Sequence, residues 1–315
     1  MGRYVLKRIL QTIPVLLGVV VITFILMYIV PGDPVQSMVG ERYDEATVQR
    51  LREELHMDDP MWMQFFRYLW NVLHGDFGTS FYSGETVASQ ILDKFPNTMV
   101  LALTAMVIAV FVGLTIGIIS SLKPRSLLDK GTMFFALIGI SAPVFWVGLM
   151  LVLFVGVYLR WLPPTGFGGI EYVILPAITL GLRSAAYLAR LTRASMLEIL
   201  DQHYIRTARM KGLPEWKVIL KHAFPNTLVP VITVIGTDFG SYLSGAVLTE
   251  SIFGWPGLGR LALDAILKRD FPVIQGTVLF MAVIFILANL IVDILYGIVD
   301  PRIRMKRQSR GHHEE

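Results

Sequence analysis

Six stretches of the chain are apolar and carry at most one charge each: Ile9–Val30, Thr98–Leu122, Gly131–Leu159, Tyr172–Ala189, Asn226–Thr249 and Pro272–Val299. A helix needs about 20 such residues to cross the ~30 Å hydrocarbon core of a bilayer. A backbone in lipid must satisfy its own hydrogen bonds, which leaves helices or closed barrels. Barrel strands would alternate apolar and polar positions over about 10 residues, and these runs do not. The pattern therefore predicts an all-α, polytopic membrane protein with six transmembrane helices. Arg3, Lys7 and Arg8 precede the first run, as in a signal peptide. The run is too long for a signal core, however, and Pro31-Gly32-Asp33-Pro34 follows it as a sharp helix stop. It reads as a retained anchor.

The same four residues open two of the runs, Phe95-Pro96-Asn97-Thr98 and Phe224-Pro225-Asn226-Thr227, each with an Asn where an N-cap would sit. Between the runs, segment 31–97 holds 11 acidic and five basic residues. Glu45–Leu55 reads as a charged surface helix. Met61–Trp70 is dense in aromatics, as suits a membrane interface. Either these aromatics pack on the helix ends, or they form a lid or docking surface for an external partner. In 250–271, the run Gly254-Trp255-Pro256-Gly257-Leu258-Gly259 cannot be regular helix. Trp255, Pro256 and Gly257 form a candidate outer gate, and a structural turn explains them equally well. Segment 190–225 is soluble and folded in pattern: a helical run at Ser195–Leu200, a basic one at Tyr204–Lys211 stopped by Gly212 and Pro214, and a third at Glu215–Ala223.

Composition agrees with a lipid setting: 54% of the residues are hydrophobic and 17% charged, against about 25% charged in soluble domains. The net charge of +4 reflects basic cytoplasmic loops rather than nucleic-acid binding. With the N-terminus inside, 18 of the 28 Lys and Arg fall on the cytoplasmic side and nine outside, so both termini are expected in the cytoplasm. The chain has no Cys, which excludes disulfides and thiolate chemistry. No Gly-Lys pair exists to build a phosphate loop, and no histidine spacing suggests a metal site. No catalytic constellation is evident, so energy for transport must come from a gradient or from another subunit. Arg183 and Asp238 interrupt two spans, at matching depths if the spans end as drawn. They are candidates for a buried pair or for lining a shared path. Asp293 reads as a polar contact near the end of the sixth span.

The cytoplasmic segment carries a resemblance. Tyr204-Ile205-Arg206-Thr207-Ala208-Arg209-Met210-Lys211-Gly212-Leu213, with Ala223-Phe224-Pro225-Asn226, resembles the EAA loop of ABC-importer permeases, in its dipeptide/oligopeptide variant. Ala208, Gly212 and Pro225 match the pattern; Arg206-Thr207 replace its Glu-Ala, and Phe224 its Leu. Pro31-Gly32-Asp33-Pro34, Gly75-Asp76-Phe77-Gly78-Thr79-Ser80, Leu191-Thr192-Arg193-Ala194-Ser195-Met196, Gly254–Arg260 and Val299-Asp300-Pro301-Arg302-Ile303-Arg304 agree, in order, over nearly the whole chain.

The resemblance implies a type I ABC importer permease in the cytoplasmic membrane of a bacterium or archaeon. A second permease subunit, usually a different chain, would complete the translocation path. Two ATP-binding cassette subunits would hold ATP and Mg, with no cofactor bound by this chain. An extracytoplasmic solute-binding protein would deliver the substrate. Tyr204, Ile205, Arg206, Thr207, Ala208, Arg209, Lys211, Gly212 and Leu213 would couple to an ATPase. Residues 1–95 would be the anchor helix and extracytoplasmic segment, 96–300 a five-helix core with its coupling loop at 190–225, and 301–315 a basic tail. The same scaffold serves nickel, glutathione and other small solutes. A gradient-driven secondary transporter would show paired inverted repeats with broken helices, which the sequence does not display.

Overall fold

The computed structural model describes residues 2–29, 49–50, 52–53 and 58–299. The Pro31–Pro34 stop, most of the Glu45–Leu55 helix, the tail 301–315 and the Asp293 side chain lie outside the described residues. The elements are α1 (Gly2–Ile29), α2 (Met61–Leu73), α3 (Val87–Leu122), α4 (Leu127–Ser141), α5 (Val144–Leu151), α6 (Glu171–Leu200), α7 (His203–Met210), α8 (Phe224–Leu243), α9 (Val247–Phe253), α10 (Leu258–Lys268) and α11 (Phe271–Val299). Wider π-type turns continue α5 through Val152–Tyr158 and lead into α8 through Val218–Ala223. Among the described residues, extended pairing is limited to one bridge, Thr79 with Thr86.

Four of these helices are long and apolar enough to cross a membrane, and six spans result if each of two bent pairs counts as one. The bends correct the expectation of straight spans at 131–159 and 226–249. The first is broken by 106° between α4 and α5. Pro143 explains it, because its ring pushes the preceding residue out of the helical region, and Ala142 sits at φ −71°, ψ 132°. The second bends by 54° at Pro230 and ends at Leu243, short of the expected Thr249. Neither Phe-Pro-Asn-Thr tetrad opens a free helix end capped by its Asn. Pro96 lies inside α3, and α8 follows without a break from the turn before it. Asn97 and Asn226 are freed from capping and bond elsewhere.

The chain divides into two compact units. The first comprises residues 1–99, 243–251 and 255–286. Its core is Val87, Ile91, Leu258, Ala265, Val273 and Ile274, flanked by Phe77 and Phe95. Gly276 lets α11 approach the start of α3, since a Cβ there would fall 2.5 Å from Val87 Cγ1. Asp270, buried ahead of α11, accepts from Ser80 Oγ and from the Phe81 N–H. Ser80 Oγ in turn accepts from the N–H groups of Tyr82 and Ser83. The Gly75–Ser80 motif is thus tied to the head of α11.

The second unit comprises residues 100–242, 252–254 and 287–315. Its centre is α6, 61% of whose apolar stretch is buried, against 17% for α1. Small residues make this possible. Gly113 and Gly117, four apart on α3, meet Leu188, Ala185, Ala189 and Thr192 of α6, and a Cβ on either glycine would lie within 2.8 Å of an α6 atom. Gly181 returns the favour against the Ala105 carbonyl at 2.6 Å. Close helix contact through small residues at this spacing is how apolar helices associate where no hydrophobic drive exists. At the start of α4, Ser126 accepts from the Asp129 N–H, and buried Asp129 accepts from Arg125 N and from two nitrogens of Arg193 on α6.

Gly117→Val should separate α3 from α6, with a destabilisation of about 1–3 kcal/mol from overpacking. Thermal unfolding in detergent reads this, and Gly131→Ala, whose Cβ would meet nothing within 4 Å, should leave the midpoint unchanged.

Candidate functional site

The basic segment forms a small module at the end of α6. Ser195–Leu200 is not a separate helix but the last turns of α6. The chain turns at Asp201 and Gln202 and enters α7, whose Ile205 and Ala208 are buried one turn apart. They join Met196, Val218, Ile219 and Ala223 in one apolar cluster, with Leu213 and Phe224 against it. Gly212 ends the helix at φ +74°, where a side chain would be strained. The short helix is therefore held by its inner face, and eight residues need such support to be helical at all.

The outer face is left to solvent. Tyr204, Arg206, Thr207, Arg209, Met210 and Lys211 are exposed, Met210 at 79%. Arg206 pairs with Asp201 at 2.7 Å and Arg209 with Glu215 at 2.8 Å, both within the module. The Asn226 amide donates to the Tyr204 hydroxyl and to the His222 carbonyl. The nine sequence candidates thus divide: Ile205, Ala208 and Leu213 face the protein, Gly212 shapes the turn, and the remainder face outward. Met210 and Trp216, both exposed here, escaped the sequence reading because a lone Met or Trp carries no charge signal.

The glycine-rich run after α9 is a closed polar lock. Glu250 is fully buried. Its carboxylate accepts from Thr98 Oγ1 at 2.9 Å and from the Arg260 N–H at 2.9 Å, with the Gly259 N–H as a further donor. The Leu258 N–H donates to Thr98 Oγ1 at 2.8 Å. The first three N–H groups of α10, which have no partner within the helix, are all satisfied this way. Burial pushes the Glu250 carboxyl above its usual range, and these donors pull it back. A Cβ on Gly257 would lie 2.3 Å from Glu250 Oε1, and one on Gly259 would lie 2.8 Å from the Val247 backbone. Trp255 is buried, its indole N–H donating to the Asn97 carbonyl, while the Asn97 amide donates to the Pro256 carbonyl. Trp255, Pro256 and Gly257 therefore sit in a built turn, and Glu250 with Thr98 are the residues the sequence reading missed. A Glu directly after the apolar run Asn226–Thr249 has the look of an ordinary span end.

Arg183 and Asp238 are not joined by an ion pair. Arg183 is exposed, twelve residues into α6, whereas Asp238 lies only five from the end of α8. The assumed equal depths relied on a helix reaching Thr249. Both charges lie within electrostatic reach of Tyr242, whose hydroxyl bonds to Ser184 Oγ and donates to the Leu180 carbonyl. Among the described residues, no three His, Asp or Glu side chains gather to hold a metal ion.

Comparison with known proteins gives consistent results. The model of the binding-protein-dependent transport system inner membrane component family matches residues 113–305, and that of the family's N-terminal region matches 1–102. The chain is 45% identical to a peptide transport system permease protein of Brucella abortus, over 96% of this chain and 99% of that one. It is 41% identical to the dipeptide transport system permease protein DppB of Escherichia coli, over 98% of this chain and all of that one. A glutathione transport system permease protein of Salmonella paratyphi A is 43% identical over 97% of this chain and all of that one. Among solved structures, the MetNI methionine ABC transporter in inward-facing conformations superposes with a TM-score of 0.56 at 15% identity, covering 67% of this chain and 96% of that one. An amino acid ABC transporter crystallised with histidines gives 0.51 at 19% identity, covering 68% and 94%. At these identities the structures speak to the fold.

Glu250→Ala should leave the N–H groups of Gly259 and Arg260 without their acceptor, a cost of about 2 kcal/mol. Hydrogen exchange should then run about thirty-fold faster at those amides, while the amides of α7 keep their wild-type protection.

Proposed function

We propose that this chain, which belongs to the family of binding-protein-dependent transport system inner membrane components, imports peptides as one membrane-spanning subunit of an ATP-driven transporter. It is a transport permease subunit with the fold of type I ABC importer membrane subunits. The peptide substrate is supported by relatives named for peptide and dipeptide transport across nearly the full chain. The glutathione permease at 43% identity favours a second reading, in which the cargo is that modified tripeptide. The chemistry common to both is a short peptide backbone with free charged ends.

The observation that carries the mechanism is α7. An ATPase subunit needs a stiff handle on the membrane protein. A helix seated on a buried apolar cluster, with its other face open, is one. We assign α7 as that handle, with Tyr204, Arg206, Thr207, Arg209, Met210 and Lys211 meeting the ATPase and Ile205, Ala208 and Leu213 transmitting its movement to α6 and α8. ATP and Mg would be held by two ATP-binding cassette partners. A second permease subunit would complete the path, and an external solute-binding protein would load it. Both termini and α7 would face the cytoplasm, an orientation supported by the distribution of Lys and Arg. Arg183 and Asp238 remain candidates for the path, and Trp255–Gly257 for its outer end.

Met210→Asp changes only the exposed face, and should abolish peptide-stimulated ATP hydrolysis in the assembled transporter while insertion stays normal. Ile205→Asp buries a carboxylate in the apolar seat and should unfold the module, at a cost of several kcal/mol. ATPase assays with the native binding protein and a panel of dipeptides, longer peptides and glutathione test both handle and cargo. Wild-type coupling in Met210→Asp overturns the assignment of α7, and stimulation by none of the panel overturns the substrate class.

A further inference from the structure

Helix α2 carries more exposed aromatic surface than its surroundings explain. At 3.6 residues per turn, its side chains fall into three sectors. Phe65 and Tyr68 face α1: the Phe65 ring meets Phe24 edge-on at 5.3 Å, Tyr68 stacks at 5.8 Å on the same ring, and its hydroxyl bonds to Thr23 Oγ1. Gln64, Arg67 and Asn71 form a polar sector, where Gln64 donates to the Asp59 carbonyl and Arg67 pairs with Asp59 at 2.9 Å. The third sector is Trp62, Phe66, Trp70 and Leu73, all within an arc of about 80° and exposed at 61%, 61%, 64% and 72%. It contains no charged side chain.

We propose that α2 lies in the boundary layer of the bilayer, with the Trp62–Phe66–Trp70–Leu73 stripe in the lipid and the Gln64–Arg67–Asn71 side toward water. Two observations choose lipid over a protein partner. The first is depth. Thr23 lies within the candidate span Arg8–Ile25 and inside the apolar run Ile9–Val30, seven residues before its end, which is about 10 Å along a helix axis. The Tyr68 contact at Thr23 therefore holds α2 beside the apolar part of α1 rather than above it, at the depth where amphipathic helices settle, about 5–10 Å into the boundary. The second is continuity. The α1 residues flanking this contact, Ile22 and Ile25, are themselves exposed apolar groups on the span with the least buried surface. The stripe extends that lipid-facing surface sideways. Trp at two of four positions suits this layer, since the indole ring is apolar with one N–H that reaches water or headgroups. The proposal rests on the membrane-embedded reading of α1 and does not depend on the substrate or on α7.

The absence of Cys from the chain allows single spin labels at chosen positions of the full-length protein in phospholipid nanodiscs. Labels at Phe66→Cys and Trp70→Cys should collide with dissolved oxygen about five-fold more than with a water-soluble nickel chelate, and Asn71→Cys should show the reverse preference. Chelate access at positions 66 and 70 would overturn the proposal by placing the stripe in water. Exclusion of both reagents there would overturn it by placing the stripe under protein. A second measurement needs no substitution. Lipids with a photoreactive diazirine near the glycerol should form adducts within 61–73 of the wild-type chain, and adducts on α1 with none in 61–73 would overturn the proposal equally.

Discussion

Helices start with N–H groups that have no partner inside the helix, and where such a start is buried in the protein water cannot supply the missing acceptors. This constraint organises the polar residues of the fold. Glu250 answers it at the start of α10, and two further acidic side chains stand at helix starts. At α4 the Ser126 hydroxyl accepts the Asp129 N–H, while the Asp129 carboxylate accepts from Arg125 N and Arg193. Glu250, from α9, accepts the first-turn amides of α10. Asp270 stands ahead of α11 and draws in Ser80 and the Phe81 N–H. Each anion meets the positive end of a helix dipole, which favours it. Each also reaches a residue distant in sequence, and these bonds staple segments together within their unit.

The remaining packing relies on size rather than polarity. Apolar helices in lipid gain little from hiding apolar surface, and close approach decides which of them touch. Gly113, Gly117 and Gly181 let α3 and α6 approach until backbone meets side chain. The π-type turns and the proline bends then re-aim the chain at its ends. At one such end, α6 continues beyond the apolar run 172–189 to Leu200 and is followed by α7. Ile205 and Ala208 of α7 pack with Met196 of α6 and Ala223 before α8 in one cluster, and under the proposed coupling a force on α7 would pass through it. Close-packed contacts of this kind transmit displacement instead of absorbing it.

What the sequence made legible was whatever depends on composition or local chemistry. The apolar runs exposed the spans, Gly212 and Pro214 exposed the end of α7, and the density of aromatics marked α2. Long-range partners were not legible. Glu250 needs Thr98 and Gly259 around it before its role is visible, and nothing at position 250 announces them. The same holds for Asp129 with Arg193, 64 residues apart. The Phe-Pro-Asn-Thr tetrads misled for a related reason. Asn is a good cap where the chain is free to begin a helix, but Asn97 and Asn226 instead spend their amides on Pro256, Tyr204 and His222. The equal depth of Arg183 and Asp238 rested on a helix running to Thr249, whereas α8 ends at Leu243 before a glycine-containing break.

The charges of α7 follow a logic that the buried acids do not. Arg206–Asp201 and Arg209–Glu215 are short but exposed, and exposed pairs contribute about 0–1 kcal/mol. The module does not depend on them, because Ile205 and Ala208 already hold it. An approaching protein surface with its own carboxylates can therefore exchange partners with either arginine at little cost. The buried pair of Asp129 with Arg193 offers no such exchange, since parting it strands a charge away from water. Burial in this way separates the charges: those inside fix the helices, and those on α7 would, under the proposed coupling, be free to change hands.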